Sequence, residues 1–172
     1  MSCLRKSKVF AVVVYVLFIY STLGVIRVPQ QYLKQNLGNS YHLSVSLFYL
    51  GSGLALVGYF LRRRLSWLGW LIITVAFAAS FLLLNHCSTP EEKIHLVEYG
   101  LLSWLVYSLL ADKWQGYSVH LAAAALVAVL GYFDELIQWW LPNRVYDNWD
   151  VLLNAVSGVI GQMLIYANTR KT

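Results

Sequence analysis

The residues able to do chemistry gather in the second half of this chain. His95, Glu98 and Tyr99 recur at intervals of three and four, Asp134 and Glu135 precede Gln138, and Asp150 precedes Asn154 by four. Residues three or four apart share one face of an α-helix, so three segments each present a polar stripe. Carboxyls beside a histidine suit general acid and base work, because imidazole exchanges its proton near neutrality. The same oxygens suit a hard divalent cation held against a phosphate head group. Neither spacing is a specific metal signature, so both chemistries stand open. His95, Glu98, Asp134, Glu135 and Asp150 are the candidate catalytic residues. Lys93 and Arg144 are the cations placed to meet a phosphate, with Tyr99, Gln138, Asp147 and Asn154 as further substrate-binding candidates.

The elements that carry these stripes must be membrane helices. Of the 172 residues 59% are hydrophobic and 12% charged, against about 25% charged in a typical soluble domain. A spanning helix needs about 20 residues, and apolar runs at 9–26, 43–61, 67–84, from the end of the loop 86–93 to 110, 119–141 and 151–167 nearly use up the length. The expected fold is all-α, a single membrane domain over 1–172 with six transmembrane helices. The first run has the basic flank of a secretory signal but no small-residue cleavage site, so it is retained as a span. The loop 27–42 is the longest polar connection, with weak periodicity.

Charge sets the orientation. Arg5, Lys6, Lys8, Arg62, Arg63, Arg64, Lys113, Arg170 and Lys171 fall on one side of such a bundle, while Arg27, Lys34, Lys93 and Arg144 fall on the other. The positive-inside rule then puts both termini in the cytoplasm. These basic residues end apolar runs and form no surface stripe, which argues against nucleic acid as a partner. Trp67, Trp114, Trp139, Trp140 and Trp149 lie near span ends, as interfacial belts require. Cys3 and Cys87 should face opposite sides, so no disulfide framework is expected.

The acids are more lopsided than the bases. Glu91, Glu92, Glu98, Asp134, Glu135, Asp147 and Asp150 fall on the outer half and only Asp112 on the inner. At a rise of about 1.5 Å per residue, Asp134 lies about 10 Å below Leu141 and Glu98 about 12 Å below Pro90. A lone carboxylate in the membrane costs at least about 2 to 3 kcal/mol, so these groups must be paired, protonated or wet. Isolated amides are more simply read as glue between helices; four carboxyls together are not, since neutral residues would do that at lower desolvation cost. Ser157, Gly158 and Gly161 extend the last stripe as small residues for close packing, and Gly51-Ser52-Gly53 reads as another packing site. The inner halves of the last three spans read as almost wholly apolar. His42, His86 and His120 stand singly at span ends, and Ser44, Ser46, Ser103 and Ser157 lack a nucleophile elbow, so a serine hydrolase is unsupported.

At Pro90-Glu91-Glu92-Lys93-Ile94-His95-Leu96-Val97-Glu98-Tyr99, Asp134-Glu135 with Gln138, Leu141-Pro142-Asn143-Arg144, and Asp147, Asp150, Asn154, Gly158 and Gly161, the sequence resembles the VanZ-like family of small bacterial membrane proteins. The family takes its name from a teicoplanin-resistance accessory protein. The resemblance covers roughly 93–161; the preceding three spans match only in hydrophobicity. Asn143 stands where many members have glycine, and Glu92-Lys93 replaces a common Asp-Lys pair. The resemblance implies envelope biology and glycopeptide tolerance, and it implies that the polar cluster is a site. Three functions fit: a pocket that binds the head group of an envelope lipid or lipid-linked glycan precursor, an intramembrane hydrolase or transferase, and a proton-coupled lipid transporter. Membrane lipids are the expected partners and a divalent cation is the one cofactor the cluster suggests.

Overall fold

The computed structural model describes residues 3–23, 25, 27–87, 89–142 and 146–170. Among them every regular element is a helix: α1 (Cys3–Thr22), α2 (Arg27–Leu37), α3 (Asn39–Leu61), α4 (Trp67–His86), α5 (Pro90–Leu110), α6 (Tyr117–Trp140) and α7 (Asn148–Thr169). Four of these, α3, α4, α6 and α7, are long and apolar enough to cross a membrane, and the chain is a helical membrane protein. The other two long helices carry the charge that weakens their apolar signal. Arg5, Lys6 and Lys8 occupy the start of α1, and Glu92, Lys93, His95 and Glu98 the first half of α5. Large apolar side chains such as Leu17, Phe48, Phe81, Leu121 and Phe133 point outward, where only lipid would solvate them well.

The loop expected at 27–42 holds a helix. Pro29 sits in the first turn of α2, where its missing N–H satisfies nothing anyway. Gly38, at φ 48°, breaks it from α3 in a conformation that L-residues with a Cβ avoid. The first helix correspondingly stops at Thr22, short of the expected 26.

The starts of α4, α5 and α7 are written in side chains. Ser66 accepts from the Gly69 N–H at the head of α4. Thr89 caps α5 by accepting from the Glu92 N–H at 3.2 Å, while its hydroxyl donates to Glu92 Oε1 at 2.8 Å, with Pro90 in the first turn. Asp147 caps α7 by accepting from the Trp149 N–H at 2.8 Å. Each cap satisfies a backbone donor that has no partner inside its helix.

The long helices alternate between two ends. Lys8 at the head of α1 pairs with Asp112 just after α5, and the Ser66 N–H donates to the Arg170 carbonyl at 2.8 Å. The basic end therefore holds the head of α1, the α3–α4 turn, the α5–α6 turn and the tail of α7. α7 packs against α5, α6 and α4, and α1 is laid against α5 and α6 by Tyr15, whose hydroxyl donates to the Glu98 carbonyl, and Tyr20, whose hydroxyl donates to the Leu130 carbonyl. Ile19, Tyr99, Leu102, Val106, Ala123 and Val127 form a core between α1, α5 and α6.

Small residues permit that packing on α7 and α6. A Cβ on Gly161 would come within 2.8 Å of the Ser103 Cβ, and one on Gly131 within 2.6 Å of the Asn154 Cβ. The expected packing role of Gly51-Ser52-Gly53 does not hold. Gly51 faces open space and Gly53 meets only Phe77 at 4.0 Å, because α3 lies at the rim of the bundle with its apolar face outward.

Thr89→Ala should cost about 1 kcal/mol of stability, the usual worth of a helix N-cap. Reversible unfolding in mixed micelles measures it, and an unchanged midpoint would show that the Thr89–Glu92 pair does not hold the α5 start.

Candidate functional site

Opposite the basic end, α5, α6 and α7 bring their polar stripes into one place. His95 is buried, with Nδ1 3.7 Å from Glu98 Oε2 and 3.9 Å from Asp134 Oδ2. Both distances exceed a hydrogen bond and leave room to tighten. Asp134 and Glu135 have no exposed surface at all. Glu135 is held from both sides: the Gln138 Nε2 donates to its Oε1 at 2.6 Å and the Asp147 N–H donates to its Oε2 at 3.3 Å. The residue that caps α7 thus also ties α7 to the carboxylate on α6.

The remaining candidates complete the wall. Tyr99, fully buried, sets its ring 6.0 Å from that of His95 and brings its hydroxyl within reach of Asp134. Asn154, also fully buried, donates through Nδ2 to the Gly131 carbonyl at 3.3 Å, one turn below Asp134 and Glu135. Asp150 is half-buried, within electrostatic reach of Glu135. Lys93 is half-buried on the first turns of α5, and Asp147 is exposed. Arg144 lies outside the described residues.

His95, Asp134 and Glu135 each offer one ligand atom, and the three atoms lie within 4.8 Å of one another. That is the geometry of a site that a single ion could draw together. Two unit negative charges 4 Å apart repel by about 4 kcal/mol at an effective dielectric of 20, so Glu98, Asp134, Glu135 and Asp150 need positive charge among them, as protons or as a cation.

Two features went unseen in the sequence. Tyr20 of α1 lies within electrostatic reach of Asp134, and Tyr49 of α3 within reach of Glu98. No spacing rule links the first half of the chain to these acids, so only the fold reveals them. The inner halves of the last three helices are also not simply apolar, contrary to expectation. Gln162 Nε2 donates to the Ser103 carbonyl at 2.9 Å and to Ser103 Oγ at 2.7 Å; Ser103 Oγ donates to the Gly158 carbonyl at 2.7 Å; and Gln162 Oε1 meets His120 Nδ1 at 2.8 Å. Gln162 continues the stripe of Asp150, Asn154 and Gly158 by one more turn, a signal that periodicity contained.

Residues 91–169, which hold the last three helices, match the VanZ/LLP1 family model, and this match supports a VanZ-like assignment for that part of the chain. No curated protein and no solved structure matches the chain.

Cys87 closes α4 beside the site, among Glu92, Lys93 and Asp150. Burial, aided by the Glu92 and Asp150 carboxylates and opposed by the Lys93 ammonium, pushes its thiol up to about 11. Only the thiolate reacts, so a pKa about two units above the usual value slows maleimide labelling at pH 7 about a hundredfold. Labelling of Cys87 in a Cys3→Ser background should accelerate about tenfold per pH unit until pH 11; fast labelling at neutral pH would contradict the buried placement.

Proposed function

We propose that this chain is a six-span protein of the bacterial cytoplasmic membrane whose pocket binds the anionic head group of an envelope lipid through a divalent cation. In this reading α1, α3, α4, α5, α6 and α7 all cross the bilayer, and both termini lie in the cytoplasm with the basic end. That orientation follows the positive-inside rule, and it turns the carboxylate pocket toward the extracytoplasmic leaflet. The convergence of His95, Asp134 and Glu135 ligand atoms within 4.8 Å carries the proposal.

A dication would offset two of the four nearby negative charges, as two protons would, and unlike protons it would leave coordination positions for phosphate oxygens arriving from the outer leaflet. The mixed imidazole and carboxylate set suits manganese or zinc better than calcium. Lys93, and Arg144, which precedes α7 in the sequence, would supply charge to the rest of the head group. Lipid-linked glycan precursors carry such phosphates, and holding one at the outer surface would connect the pocket to glycopeptide tolerance. In an intramembrane hydrolase or transferase, the same cation would activate water beside Glu98.

The line of buried Asn154, Ser157, Ser103 and Gln162, ending on half-buried His120, favours one further reading, proton-coupled lipid movement. It extends polar groups from the pocket into the half of the bundle expected to be apolar. Coupled proton uptake and lipid flux in liposomes would distinguish it from binding alone.

Protein in nanodiscs should bind Mn²⁺ as read by electron paramagnetic resonance, and Asp134→Asn with Glu135→Gln should weaken that binding at least about tenfold, the loss of one charge-assisted ligand or more. Lipid co-purifying with the protein, read by native mass spectrometry, should fall on chelation and in Glu98→Gln and Arg144→Ala. Absent Mn²⁺ binding together with unchanged lipid retention in all variants would refute the proposal.

A further inference from the structure

At the basic end, α5, α6 and α7 border an open cavity of about 350 Å³, lined by Tyr107, Trp114, Tyr117, His120, Tyr166 and Arg170. It shares no residue with the carboxylate pocket.

Its guanidinium and its imidazole, Arg170 and His120, are held in defined positions. The Arg170 guanidinium lies over the Tyr166 ring, 4.5 Å from its centroid, and donates to the Tyr166 hydroxyl and, at 3.0 Å, to the Tyr117 hydroxyl. Among the described residues no carboxylate pairs with Arg170, while Asp112, the one acid at this end, is engaged by Lys8. The guanidinium is therefore fixed on neutral partners with its full charge available to the cavity.

The tautomer of His120 follows from its neighbours. Gln162 Nε2 donates to the Ser103 carbonyl, which can only accept, so the other end of the amide that meets His120 Nδ1 at 2.8 Å is the oxygen. An amide oxygen accepts, so Nδ1 carries the hydrogen, and in the neutral ring Nε2 keeps the lone pair. No described residue bonds to Nε2. The ring is further locked by stacking on Tyr107, with centroids 4.8 Å apart, and by an edge contact with Tyr166 at 5.4 Å.

We infer that this cavity is a binding site for a phosphate monoester. The guanidinium fork matches two phosphate oxygens. With a second pKa of about 6, a monoester can take up one proton close to neutral pH, and that proton can bridge a third oxygen to Nε2. A phosphodiester has no such proton and would leave the Nε2 lone pair facing its oxygens. Trp114 and Tyr117 are exposed at the rim, the position of aromatic residues at the level of lipid head groups. The source of the monoester is either phosphatidate in this leaflet or free phosphate.

Native mass spectrometry of the whole protein in mixed phosphatidate and phosphatidylglycerol micelles tests the site. Phosphatidate should be retained roughly tenfold over phosphatidylglycerol, as one extra charge-assisted hydrogen bond provides, and Arg170→Gln and His120→Phe should each bring the ratio near one. Displacement of phosphatidate by millimolar inorganic phosphate would confirm that the phosphate is what is recognised. Binding of inorganic phosphate without phosphatidate preference would assign the site to the free ion. Equal retention of both lipids by the unmodified protein, with no binding of inorganic phosphate, would overturn the inference even if the variants fail to fold. The carboxylate pocket is untouched by these variants, so Mn²⁺ binding there should persist and separates failure of this site from failure of the other.

Discussion

Charge that must live inside a membrane dictates the rest of this structure. Asp134 and Glu135 sit in the body of α6 with no exposed surface, where a solitary ion would cost several kcal/mol. The fold answers with partners drawn from three helices. Gln138 from the same helix and the Asp147 N–H from the start of α7 grip Glu135, while His95 and Tyr99 bring α5 against Asp134. Removing any one of these helices would strand a carboxylate in hydrocarbon, so the pairing fixes the arrangement of α5, α6 and α7 as firmly as their apolar packing does.

Close approach is the companion requirement. Asn154 reaches the Gly131 carbonyl only because Gly131 has no Cβ, and Ser103 nests against α7 only because Gly161 has none. Small residues at helix crossings are the usual device where lipid gives no hydrophobic drive to associate. Here they also set the depth at which polar groups meet. The same contacts carry Gln162 onto Ser103, and so place His120 at the second cavity.

Much of this was legible in the sequence, for physical reasons that differ by element. Spacings of three and four put His95 with Glu98 and Asp150 with Asn154 on single faces, and the helical membrane class followed from composition alone. The α2 helix was not legible, because its short polar run carries too little apolar periodicity to outweigh Pro29 and its flanking glycines. Gly51 and Gly53 misled, since the small-residue signal marks packing only when a neighbour is present and α3 has none there. His120 looked solitary because its partner, Gln162, lies 42 residues away. Tyr20 and Tyr49 could be placed near the acids only by the fold.

The account stands on the carboxylate cluster being reached by water from the end opposite the basic residues. The most direct measurement is modification of Glu98→Cys, in a background without Cys3 and Cys87, by a membrane-impermeant thiol reagent applied to one side of sealed vesicles at a time. The account predicts reaction from the extracytoplasmic side, slowed when Mn²⁺ is present. Reaction only from the cytoplasmic side, or none from either side in a folded protein, would contradict it.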